Sequence, residues 1–162
     1  MKKTLWVLGL AAVIGWGQGV ALAAADHPEL SEGDEAYSAE HYEKAAALYR
    51  KDAELGVIAA QMNLAIMYMD GQGVPQDFKE AAKWFAKAAE QGNAEAQHNL
   101  GQLYQDGKGV AQNSMEAVKW FIISGAFQSA AAAEKGLSPE QAAEARKQAG
   151  DWTAAFKKAK GR

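Results

Sequence analysis

The chain has 162 residues, 49% of them apolar, and a formal net charge of −3, enough for one domain with a sizeable core. Alanine supplies much of the apolar share, which favours helices over strands, and only three prolines punctuate the chain. With no cysteine, disulfide frameworks, thiolate metal sites and cysteine nucleophiles are excluded.

The N-terminus reads as an address. Lys2 and Lys3 precede the apolar run from Leu5 to Ile14, and Ala21 and Ala23 follow. That order of charge, apolar run and small residues predicts a secretory signal peptide over 1–23, cleaved after Ala23. The alternative is an uncleaved anchor, since Leu5 to Ala25 could just span a bilayer. Gly15, Gly17, Gln18 and Gly19 interrupt the run and favour cleavage. Residues 1–23 hold two lysines and no acid, so the mature chain would carry 15 basic and 20 acidic side chains, a net −5. Such a balance disfavours nucleic acid or an anionic membrane as partner. The expected location is periplasmic or secreted, with no stable membrane insertion once the signal is removed.

Beyond the leader, residues 24–56 hold a shortened helix, Glu29 to Tyr37, and a full one, Tyr42 to Leu55. Residues 57–92 then repeat as 93–128 at a shift of 36 without a gap. Identities run through the whole unit: Ala60/Ala96, Gln61/Gln97, Leu64/Leu100, Tyr68/Tyr104, Asp70/Asp106, Gly71/Gly107, Gly73/Gly109, Ala81/Ala117, Trp84/Trp120 and Phe85/Phe121. A half copy lies 36 residues upstream, with Ala45, Leu48, Tyr49 and Gly56 at the places of Ala81, Trp84, Phe85 and Gly92.

Each repeat carries two helical patterns. Ala60, Leu64, Met67 and Tyr68 fall on one face of a first helix, and Ala81, Trp84, Phe85 and Ala88 on one face of a second. The glycines between them do not form a phosphate cradle. They join helix to helix rather than strand to helix, the third glycine of a dinucleotide fingerprint is missing, and no GK[ST] follows. Gly71 and Gly107 fit the left-handed residue that ends a helix, with Val74 and Val110 tucked toward the core. Asp77 with Glu80, and Asn113 with Glu116, have the spacing of a capping box that starts the next helix.

Residues 129–162 form the end of the array. "SAAAAEKG" begins a further repeat but stops at Gly136. Ser138, Pro139 and Gln141 then predict a capped helix carrying Ala142, Ala145 and Trp152, with Gly150 as a weak point. This helix is expected to fold back over the last repeat.

The pattern Ala60-Leu64-Ala65-Tyr68-Gly71-Gly73-Val74-Asp77-Ala81-Trp84 recurs as Ala96-Leu100-Gly101-Tyr104-Gly107-Gly109-Val110-Asn113-Ala117-Trp120. It resembles the Sel-one-like repeat, a branch of the tetratricopeptide superfamily, over residues 35 to 128. The resemblance implies an all-α fold, a right-handed superhelix of antiparallel helix pairs with a C-terminal capping helix. It also implies a protein-binding scaffold rather than an enzyme. The penicillin-binding connection of some cysteine-rich relatives is not carried over, because this chain has no cysteine.

Chemistry is scarce in the rest of the sequence. The three histidines, His27, His41 and His98, form no i, i+4 pair, and neither G-x-S-x-G nor S-x-x-K occurs. Trp84, Phe85, Trp120 and Phe121 recur at the repeat period on the face that must be buried, which makes them core rather than a cofactor box. Met62, Met69 and His98 could suggest copper, but no M-x-x-M or M-x-H cluster supports it. No cofactor or metal is expected.

What remains is a surface. In stacked helix pairs the first helix of each pair lines the concave side. Its non-core positions are Met62, Ile66 and Met69 in one repeat and His98, Gln102 and Gln105 in the next. These six are the candidate protein-binding residues, expected to form one patch for a protein or peptide partner. The leading expectation is an exported, non-catalytic adaptor in the cell envelope. The alternative is an envelope enzyme or enzyme subunit acting on peptidoglycan or a related substrate, with its site in the same groove.

Overall fold

Residues 31–161 are described by the computed structural model, and among them every regular element is a helix. The expected signal peptide, 1–23, lies outside the described residues, as does His27. The order is α1 (Glu32–Ser38), α2 (Tyr42–Glu54), α3 (Ile58–Asp70), α4 (Phe78–Glu90), α5 (Ala94–Asp106), α6 (Ser114–Ile123), α7 (Phe127–Glu134) and α8 (Pro139–Ala159). From α1 to α7 each helix packs on its neighbour in the chain, the connectivity of an α–α superhelical solenoid. The odd-numbered helices α1 to α7 are first helices; α2, α4 and α6 are second helices.

The loop chemistry explains why the repeat keeps two glycines. Gly71 and Gly107 end α3 and α5 in the left-handed region, at φ 72° and 67°. A side chain there would strain the backbone, because L-residues pay a Cβ clash in that region. Gly73 and Gly109 are left-handed too, but their larger constraint is space. A Cβ on Gly73 would lie 2.2 Å from the Tyr42 carbonyl carbon, and one on Gly109 2.1 Å from the Phe78 carbonyl oxygen. Each loop therefore rests on the first turn of the preceding second helix. The second glycine is a contact between repeats.

Around the glycines the caps are polar and repeated. The Asp77 side chain accepts from the N–H groups of Lys79 and Glu80, and Asn113 from those of Met115 and Glu116. These are single caps: the N–H groups of Asp77 and Asn113 donate to the Tyr68 and Tyr104 carbonyls rather than to the glutamates, whereas at α1 and α8 the cap N–H donates to Asp34 and Gln141. Gln76 donates from Nε2 to the Met69 carbonyl at 2.8 Å, and Gln112 to that of Gln105 at 2.9 Å, closing the loop across its base.

Inside, Leu64, Met67, Phe85, Val118 and Phe121 are the largest fully buried side chains. Two glutamines join them. Gln61 donates to the Ala53 carbonyl at 3.1 Å and Gln97 to the Ala89 carbonyl at 3.0 Å. Those carbonyls belong to the last turn of the preceding second helix, where each also accepts a backbone N–H from the turn that follows, Gly56 at 3.1 Å and Gly92 at 2.9 Å. Gln91 bridges the layers further, donating to Gly56 O and Gln61 Oε1. The buried glutamine thus adds a second donor to a helix end and ties one repeat to the next.

At the end of the array α6 stops at Ile123 and α7 starts at Phe127, two residues inside the 93–128 segment. Ser138 and Gln141 form the reciprocal capping box, with Pro139 at the first helical position. α8 then runs through Gly150 without a break and lies back along α6. Trp152 meets Trp120 edge-on at 5.7 Å and stacks with Phe156 at 5.0 Å. The Phe156 ring covers Gly92, so α8 reaches the corner between α4 and α5.

Candidate protein-binding surface

Gly33 reveals how the first repeat is registered. It packs on the Tyr49 ring as Gly101 packs on Phe121, and in both cases a Cβ would come within 2.9 Å or less of the aromatic carbons. Tyr49 and Phe121 hold equivalent places in their second helices, so Gly33 is the counterpart of Ala65 and Gly101. Yet Gly33 stands 32 residues before Ala65, whereas Ala65 and Gly101 are 36 apart. The connection 39–41 is four residues shorter than the loop 71–77. In this register Asp34 corresponds to Ile66 and Gln102, and Tyr37 to Met69 and Gln105.

The six residues singled out from the sequence take different places. Met62 is 6% exposed and belongs to the core, a correction to its assignment to the open face. The physical reason is that α3 packs against both α2 and α4, so its buried arc is wider than the single stripe of a terminal helix. Ile66, Met69, His98 and Gln105 are half-buried, and Gln102 is exposed. His98 leans onto Phe121, with ring centroids 5.4 Å apart. Gln102 donates to Asp106 one turn along. Of the six, Ile66 lines the cavity at the start of the array.

That cavity is a groove of about 220 Å³ between α1, α2 and α3, lined by Asp34, Tyr37, Tyr49, Asn63, Ile66 and Met67. Asp34 organises it. Its Oδ1 accepts from Tyr49 Oη at 2.7 Å and Asn63 Nδ2 at 3.3 Å. Its Oδ2 accepts from the Ser31 backbone N–H and hydroxyl at 3.0 and 2.9 Å. Partial burial pushes the carboxyl up, but the hydrogen bonds from Tyr49 and Ser31 outweigh it and hold the group below the usual carboxylate range. The Tyr49 phenol moves the opposite way, raised by burial and then by its bond to the carboxylate. Asp34 is therefore an ionised carboxylate held by four neutral donors. Tyr37 stands beside it, edge-on to Tyr42 at 5.1 Å and donating to Gln72 Oε1 at 2.7 Å.

Charge is segregated between the two kinds of helix. α1, α3, α5 and α7 carry Glu32, Asp34, Glu35, Asp70, Glu95, Asp106 and Glu134, and not one lysine or arginine. α2, α4 and α6 carry Lys44, Arg50, Lys51, Lys79, Lys83, Lys87 and Lys119 among their acids. Asp70 and Asp106 lie one turn beyond Ile66 and Gln102 on the same face. They also end their helices, where the backbone dipole is already negative. Asp106 is paired with Lys108 at 3.3 Å; Asp70 is exposed and makes no ion pair among the described residues. No cluster of histidine and acidic residues with the makings of a metal site occurs among the described residues.

Asp34, Tyr37 and Asn63 escaped the sequence reading. The signal was present, but a fixed shift of 36 aligns Asp34 with Asp70, and the four-residue deletion had to be recognised first. The small residue against the aromatic, Gly33 against Tyr49, was the marker that could have revealed it.

Helix pairs stacked in register and one acidic, half-apolar face of first helices define a helical-repeat scaffold of the solenoid class. The Sel1 repeat model matches residues 30–56, 58–93 and 94–125. The chain belongs to the Sel1 repeat family. Among solved structures it is similar to c5321, a protective antigen present in uropathogenic Escherichia coli strains and displaying an SLR fold. Identity is 31% and the TM-score 0.64, over 78% of this chain and 28% of that one. It is also similar to a Sel1 repeat protein from Oxalobacter formigenes, with 33% identity and a TM-score of 0.54 over 74% of this chain and 54% of that one. The chain thus spans under a third of the first structure and about half of the second. No curated protein is significantly similar to it in sequence.

Proposed function

We propose that the protein is an exported, non-catalytic adaptor of the cell envelope that holds a segment of a partner protein along its first helices. Sel1 repeats generally mediate protein interactions, and that property of the family supports the general role. The observation that carries the particular surface is the groove between α1 and α3, where Tyr37, Asn63 and Ile66 stay partly accessible among the described residues. Its apolar floor and hydrogen-bonding rim suit an extended segment: apolar contacts supply affinity, while polar groups fix position. Export rests on Lys2, Lys3 and the apolar run that follows. Among the described residues no helix is long and apolar enough to cross a membrane.

The test compares wild type, Ile66→Lys and Lys83→Glu as baits in an envelope fraction. Ile66→Lys would fill the groove from inside, and Lys83→Glu alters the exposed face of α4. The reading expects partner capture to be lost in Ile66→Lys and kept in Lys83→Glu, with both variants folded. Capture that survives Ile66→Lys would move the binding surface elsewhere.

A further inference from the structure

We infer that the groove between α1 and α3 takes a lysine or arginine side chain, presented by an extended segment of another protein. This deepens the adaptor role and rests on it. The partner's chemistry follows from electrostatic complementarity at two scales.

At the groove, Asp34 stays ionised with its lone-pair positions filled by Ser31, Tyr49 and Asn63, all neutral donors. Its hydrogen bonds are therefore complete, but among the described residues no cation is paired with its charge. The rings of Tyr37 and Tyr49 line the same cavity. An ammonium or guanidinium entering here meets the Coulomb field of the carboxylate and aromatic rings in one small volume. An acidic side chain would meet the same field as repulsion.

Along the array, the first helices offer no counter-charge of their own. Their acids include Asp34, Asp70 and Asp106, and no lysine or arginine lies on them. α1, α3 and α5 at usual helix separations span roughly 20 Å, which an extended segment crosses in about six residues. One cation would sit against Asp34 and a second could approach exposed Asp70, reinforced by the C-terminal dipole of α3. The apolar floor at Ile66 then receives the residue between them. Like-charge rejection of acidic segments would make the groove selective.

The probe is a phage-displayed library of random nonapeptides, selected against the full chain at low salt. Enriched peptides are then titrated by fluorescence anisotropy as synthetic nonapeptides. The expected result is enrichment of lysine or arginine at one position, and at least a tenfold loss of affinity when that residue becomes methionine. Asp34→Asn should remove most of that discrimination, and Asp70→Asn, which leaves the groove's hydrogen bonds intact, should reduce it and flatten the salt dependence. Enriched peptides without a cation, whose binding is lost in Ile66→Lys, would overturn the charge assignment while leaving the groove as the binding surface. Peptides insensitive to Ile66→Lys, or no enrichment at all, would count against both.

Discussion

At Gly73 a single hydrogen in place of a methyl decides whether two repeats can stack. The Cβ of alanine would meet the Tyr42 carbonyl carbon at 2.2 Å, and φ is 68°. Backbone cannot swing aside as a side chain can, so strain and overlap add. Gly73→Ala should cost about 3 kcal/mol or more in urea unfolding. At Gly71 the nearest atom would be 3.3 Å away, leaving mainly the left-handed penalty of about 1–2 kcal/mol. A reversed order of the two variants would show that the loop does not rest on α2.

Asp34 belongs to the same scale. Its folded pKa is depressed, so its contribution is fully present above the ordinary value of 3.8 and is lost as pH falls through the lower folded value. Asp34→Asn should be less stable than wild type at pH 7, and the gap should shrink as urea midpoints are followed from pH 4 to pH 2. A gap constant with pH would mean that the carboxylate charge contributes nothing. Tyr49→Phe removes a hydrogen bond to that charge and should cost about 1.5–3 kcal/mol, because such bonds exceed neutral ones.

Between elements, the buried glutamines and α8 tie one repeat to the next. Gln97→Leu keeps the volume roughly but leaves the Ala89 carbonyl without its side-chain donor. That carbonyl keeps its backbone bond from the Gly92 N–H, so the expected cost is about 0.5–1.5 kcal/mol, the net worth of one hydrogen bond. In α8, Gly150 is exposed and a Cβ there would meet nothing within 4 Å. Gly150→Ala should therefore stabilise the protein by about 0.5–1 kcal/mol, read from the thermal midpoint. The sequence made Gly150 a weak point; helix propensity is unfavourable there, but the Trp152 and Phe156 contacts carry the helix through it. The glutamines show the opposite limit. Gln61 and Gln97 stand out as identities at the repeat period, yet hydrophobic patterning assigns no role to a polar residue, and only the carbonyl it meets supplies one.

For the whole molecule, the period of 36 was legible because each repeat must bury the same faces against its neighbours. Gly71, Gly107, Ser138, Trp84 and Phe85 all sit where the pattern put them. The open surface was harder to read, since it is what remains after packing and depends on which helices flank each face. Met62 went into the core because α3 has a neighbour on either side, and Asp34 entered the groove because the first repeat is four residues short. The most direct measurement places a photocrosslinking residue at Ile66 or at Lys83 in the full chain and exposes each to light in the cells that produce it. The account predicts one discrete adduct from position 66 and none from position 83. An adduct from 83 with none from 66 would contradict it.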